Sequence, residues 1–195
     1  MKVFVVYAQP CKSSFTHKVY VKFTDGLKAA GHEVVVSDLY EISFQTDLSE
    51  NEYLKETNYR AEIPVAEDVR IEQAKIQNSD AMVFIYPVFW TEAPAKLVGW
   101  FDRVWTTGFA YSPEPTMKIL DKVLVIACAG KSMESLTDTG EKKAMETVML
   151  GDRIRNRAKE KEMVIFDNVT NWNEALRDEV VPVHLEAAYK LGENF

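Results

Sequence analysis

Five short apolar runs, separated by stretches of helical periodicity, constrain this chain more than any other feature. Four are Val3–Tyr7, Val34–Ser37, Ala81–Tyr86 and Val123–Ala127, and a fifth, "MVIFDNV" at Met163–Val169, is less apolar. They are rich in Val, Ile and Phe and near-continuous rather than alternating, which suits strands buried on both faces. Between them, Phe15–Ala30 spaces Val19, Phe23 and Leu27 four apart and stops at Gly31. Val65–Asn78 sets Val69, Ala74 (or Gln73) and Ile76 on one side, and Pro94–Trp105 carries Leu97, Phe101 and Val104. Gly140–Lys161 is highly charged and reads as a solvated helix. Asn173–Leu191 closes the chain as a helix that Pro182 should kink or divide. Five strand–helix alternations imply a parallel sheet with helices on both faces. Right-handed crossovers leave few topologies, of which 2-1-3-4-5 is the expected order. The segment Glu41–Pro64 is an irregular insertion after strand 2, with one helix expected at Ser49–Thr57.

The 195 residues suit a single domain spanning 1–195 with a full core. A net charge of −7, with no basic tail or Lys/Arg block, argues against nucleic acid as a partner. No apolar run approaches the roughly 20 residues of a membrane span. The opening "MKVFVVYAQP" reads as a first strand and not a signal peptide. Cys11 and Cys128 make no disulfide framework, so the expectation is a cytoplasmic protein with reduced thiols. The three histidines, His17, His32 and His184, are scattered and form no metal-ligand spacing.

In an open parallel sheet of this order, ligands bind where the loops after strands 1 and 3 meet. The first loop, "AQPCKSSFTHK", has neither G-x-G-x-x-G nor a Walker-type spacing. Its Ser13, Ser14 and Thr16 stand at a helix start, where hydroxyls and free N–H groups favour a phosphate. The plainer reading is helix capping. The second loop, "YPVFWTEAPAKLVGWFDR", sets Phe89 and Trp90 on a turn. They either tuck beneath the loop or wall a planar apolar ligand. A phosphate cradle opposite an aromatic wall describes a flavin site.

"DLYEISFQTDLS" at Asp38–Ser49 and "YPVFWTEAPAKLVGWFDRVW" at Tyr86–Trp105 resemble the flavodoxin-like NAD(P)H:quinone oxidoreductases. That family includes mammalian quinone reductases and ancillary proteins of bacterial potassium-efflux systems. The resemblance runs from Met1 to about Leu136 and includes "FAYSPEP" at Phe109–Pro115. It implies a flavodoxin-like α/β fold with a five-stranded parallel sheet. It also implies non-covalent FMN or FAD, NADH or NADPH as electron donor, and a quinone-type acceptor. Carried over by position, Ser14, Phe15 and Thr16 face the flavin phosphate. Pro87, Val88, Phe89 and Trp90 border the ring, and Cys128, Ala129 and Gly130 reach it from the strand-4 loop. Gln9 stands where the family has histidine after strand 1, and Lys131 replaces a glycine. Glu134 falls near the family's proton-handling tyrosine and is the one weak catalytic candidate.

The resemblance further implies a homodimer with flavin at the subunit boundary. Trp100 lies about 100° around its helix from Phe101, outside the Leu97–Phe101–Val104 stripe, which suggests a second apolar face against a partner. The competing placement for Trp100 is beneath the chain's own 41–64 insertion. Gly99 suggests close packing, and Asp102 and Arg103 either pair or face a partner. The expected activity is two-electron, hydride-type reduction by a ping-pong mechanism. The alternatives are a flavin-binding regulatory subunit touching a membrane potassium-efflux protein, and an electron-carrier flavodoxin.

Overall fold

The computed structural model describes residues 1–112 and 114–195; Pro113, within the "FAYSPEP" stretch, lies outside them. Five parallel strands form one sheet in the order β2-β1-β3-β4-β5. They are β1 (Lys2–Tyr7), β2 (Glu33–Asp38), β3 (Ala81–Pro87), β4 (Leu120–Cys128) and β5 (Ala158–Phe166). The helices are α1 (Phe15–Ala29), α2 (Glu50–Thr57), α3 (Glu67–Gln77), α4 (Ala95–Val104), α5 (Met133–Asp138), α6 (Glu141–Glu146) and α7 (Glu174–Glu193).

The near-continuous apolar runs are explained by two cores, one on each sheet face. Phe4, Val6, Met82, Phe84, Val123 and Val125 face α3 and α4. Val3, Val5, Val83, Ile85, Leu124 and Ile126 face α1 and α7. Helices α1 and α7 touch backbone to backbone: a Cβ on Gly26 would lie 2.1 Å from the Tyr189 carbonyl oxygen, and one on Gly192 would lie 2.1 Å from that of Phe23. Pro182 sits inside α7 without dividing it.

The charged stretch Gly140–Lys161 is not one helix. It breaks into α6 and a π-helical turn, Thr147–Ile154, that ends at Arg155 with φ 48°. The strand expected at Met163 already begins at Ala158 and ends at Phe166. Its first half, Ala158–Glu162, pairs with β4 on one side only and is largely exposed. Charged side chains are the ordinary composition of such an edge, so the sequence looks helical there.

Trp100 also differs from the expected second face. It is wholly buried in its own chain, ring to ring with Phe84, Phe101 and Trp105. Its indole N–H donates to Glu72 Oε2 of α3 at 2.9 Å. The buried Glu72 carboxylate supplies the polar partner that lets an indole face inward. Gly99, one residue earlier, is where the insertion presses on α4: a Cβ there would lie 2.5 Å from Thr46 Cβ. Arg103, buried, donates to Glu52 of α2, to Asp68 of α3 and to the Gln45 carbonyl, so it clamps the insertion. Within the insertion, Ser49 and Glu52 form a reciprocal capping box that starts α2.

Candidate functional site

The carboxyl ends of β1, β3, β4 and β5 bring four loops to one edge of the sheet. In the first loop, Gln9 Oε1 accepts from Cys11 N–H at 3.0 Å, and Ser14 N–H donates to the Cys11 carbonyl at 3.1 Å. Ser14 caps α1, its Oγ accepting from His17 N–H at 3.1 Å. The capping role is therefore real. It leaves the first-turn N–H groups of Phe15 and Thr16 with no acceptor among the described residues, the usual anion-binding arrangement. The Phe15 ring is buried edge-on against Phe166. The Thr16 hydroxyl turns inward to the Cys128 thiol. Burial pushes that thiol up to about 12, so Cys128 is an inert filler. Cys11 is exposed, and the Ser13 hydroxyl beside it holds its thiol below the usual range.

The second loop opens at Pro87, the last residue of β3, and is tied to β4 by Val88 N–H donating to the Cys128 carbonyl at 2.9 Å. Phe89 and Glu92 then exchange both backbone hydrogen bonds, each 2.9 Å. Between them Trp90 and Thr91 have φ of 51° and 66°. This is a two-residue hairpin turn of the left-handed type, which normally takes Asn-Gly. Here it carries an indole that is 99% exposed, next to a Phe89 that is 56% exposed. Neither ring is tucked beneath the loop.

The third and fourth loops are laced together. Ala129 N–H donates to the Phe166 carbonyl at 2.8 Å, Val169 N–H to that of Ala129 at 3.2 Å, and Asn168 N–H to that of Lys131 at 3.1 Å. A Cβ on Gly130 would lie 3.4 Å from Thr170 Cβ, in ordinary van der Waals contact, so the β4 and β5 loops run side by side here. Beyond it, Trp172 projects into solvent, 96% exposed.

A cavity of about 570 Å³ lies between Trp90 and Trp172, with Val88, Ala129, Gly130 and Leu136 beneath and Lys131, Glu141, Thr91 and Thr170 around it. Its size suits a planar aromatic ligand. The cavity thus gathers Val88, Trp90, Ala129 and Gly130 from the expected set; Ser14, Phe15 and Thr16 stand at the same sheet edge on α1. Glu134 is exposed near the start of α5 and does not line the cavity. Glu141, Leu136, Thr170 and Trp172 do, and sequence reasoning missed them. Trp172 carried a usable signal: a lone aromatic in the polar run "NVTNWNE", directly after a strand's carboxyl end. A second hollow, about 630 Å³, lies across the same hairpin, between Phe89, Tyr40 and the outer side of α4 at Val98 and Asp102.

Fold and site together define a doubly wound α/β protein with free helix N–H groups and an aromatic-edged cleft at the carboxyl edge of its sheet. The chain belongs to the family described as the flavodoxin-like fold, whose model matches residues 1–153. It is similar to an NAD(P)H:quinone oxidoreductase from Methanothermobacter marburgensis, at 40% identity and TM-score 0.93, covering 100% of this chain and 96% of that one. It is 33% identical over 124 residues to NAD(P)H dehydrogenase [quinone] 1 of Rattus norvegicus, covering 57% of this chain and 45% of that protein. The chain spans about half the length of the curated relatives it matches. General stress protein 14 of Treponema denticola, solved in complex with FMN, shares the fold at 20% identity and TM-score 0.66, covering 98% of this chain and 99% of that one. Among the described residues no helix is long and apolar enough to cross a membrane.

Proposed function

We propose that this chain is a flavin-dependent NAD(P)H oxidoreductase that passes two electrons, as hydride, to quinones and related acceptors. The observation that carries the reading is the meeting, at one sheet edge, of unpaired first-turn N–H groups on α1 with the cleft between Trp90 and Trp172. The N–H groups of Phe15 and Thr16, with the Ser14 hydroxyl, would hold the phosphate of FMN or FAD. Pro87–Trp90 and Cys128–Gly130 would border the ring, with Gln9 at the neighbouring loop. The flavin supplies the hydride-accepting and hydride-donating chemistry. The protein's part is placement. The α1 N-terminus fixes the phosphate by charge and hydrogen bonds. The hydrogen-bonded lacing of the β4 and β5 loops holds the cleft walls rigid before ligand enters. NADH or NADPH and the acceptor would occupy the cleft in turn, which is a ping-pong sequence.

The protein would act as a homodimer. The support is the exposed Phe89 beside the hollow along the outer side of α4, an apolar rim that a second copy would cover. Trp100, being internal, takes no part. Steady oxidation of NADH or NADPH with a soluble quinone tests the activity; no turnover by flavin-loaded protein would reject it.

A further inference from the structure

Of the side chains that line the Trp90–Trp172 cleft, Lys131 and Glu141 are the charged ones. Lys131 Nζ donates to both Glu141 oxygens, at 2.7 and 2.8 Å. The same carboxylate accepts from the Thr139 hydroxyl at 2.9 Å and from the Thr91 hydroxyl at 3.3 Å. Four hydrogen bonds hold it ionised, with the Lys131 ammonium foremost in keeping it below the usual carboxylate range. Thr91 belongs to the hairpin turn, so this network joins the β3 loop to the β4 loop and α6. The carboxylate fixes where the Lys131 ammonium stands at the cleft. An ammonium has three N–H groups, and Glu141 is the one hydrogen-bond acceptor of Lys131 Nζ among the described residues. Its side chain is 56% exposed, so it exchanges protons with water.

Reduction of a quinone to a quinol consumes one hydride and one further proton. We propose that Lys131 donates that proton and that Glu141 is its positioning residue. The assignment rests on the oxidoreductase reading above. The quinone gains two electrons and a proton as hydride at one carbonyl, and negative charge collects on the other oxygen. The Lys131 N–H bond breaks and an O–H bond forms there, giving the neutral quinol. The free amine then recovers a proton from water on its exposed side. Glu134, outside the cleft, has no part in this.

The test compares two acceptors on flavin-loaded protein. A soluble benzoquinone needs the proton; ferricyanide takes one electron at a time and needs none. Lys131→Met should lower quinone turnover by about fivefold or more, a small part of what a positioned general acid can contribute, because water remains a slower source. Because Lys131 lines the cleft, either rate alone can shift with the lost charge, and the reading is carried by the ratio of quinone to ferricyanide turnover, which should fall by about fivefold or more. Lys131→Arg keeps charge and donors but holds its proton too tightly, so it should not restore quinone turnover. Glu141→Gln should show the same split between acceptors at smaller size. A fall in that ratio below about fivefold, as when both acceptors lose equally, or full rescue by arginine overturns the assignment. Wild-type protein that binds no flavin, or that turns over neither acceptor, rejects the oxidoreductase reading itself and the proposal with it.

Discussion

Trp90→Gly separates function from folding at the hairpin. Trp90 sits at φ 51°, and its side chain is 99% exposed. A non-glycine residue in the left-handed region costs about 1–2 kcal/mol. Glycine removes that cost but loses about 0.4–1 kcal/mol through its greater freedom in the unfolded chain. Almost no packing is forfeited, because the indole buries almost nothing. The net is a stabilisation of about 0.5–1 kcal/mol, or roughly 1–4 °C in melting temperature for a chain this size. If the indole walls a bound ring, its loss removes about 0.5–1.5 kcal/mol of stacking as well as contact area. Flavin affinity or acceptor KM should therefore worsen by about three- to tenfold. The assay pairs thermal melts of flavin-free protein with fluorescence titration of flavin and a quinone KM. A variant less stable by about 1 kcal/mol or more, with ligand binding unchanged, would refute the reasoning and make Trp90 a structural residue.

Ser14→Ala should cost about 1 kcal/mol of stability through the lost cap and weaken flavin binding roughly tenfold, measured by urea melts and fluorescence titration. Cys128 retains its proton in the fold up to about pH 12, whereas the unfolded thiol ionises near 9.0. The unfolded state thus binds fewer protons above pH 9, and stability should fall there by about 1.4 kcal/mol per pH unit from this group. Cys128→Ala should flatten that slope between pH 9 and 10 in urea titrations, and below pH 8 the thiol should contribute no slope. Light scattering should give a mass near twice the 22.3 kDa of one chain, and a mass near 22.3 kDa would reject the dimer.

How much the sequence revealed depended on whether neighbours in space were also neighbours in the chain. Strands 1 to 4 were legible because burial on both faces writes an uninterrupted apolar run, as in "AMVFIY". Strand–helix alternation and handedness left few topologies, and the expected one among them, 2-1-3-4-5, is the order observed. The start of β5 was hidden because an edge strand with an exposed half has the composition of a solvated helix. Trp100 misled because a helical wheel knows the sheet but not α3, whose Glu72 makes an inward indole possible. In the candidate site, Ser14, Trp90 and Gly130 belong to contiguous motifs and could be nominated from the sequence. Lys131 and Glu141 lie ten residues apart with Thr91 from another loop, a cluster that only the folded chain assembles.

The most direct test of the flavin-dependent account is anaerobic mixing in two stages. Purified protein is loaded with FMN or FAD, freed of excess, and mixed first with NADH or NADPH and then with a soluble quinone. The account predicts that the bound flavin's visible absorbance bleaches in the first stage and returns in the second, with NAD(P)⁺ released between them. Protein that retains no flavin, or bound flavin that neither reduced nicotinamide bleaches, would contradict it.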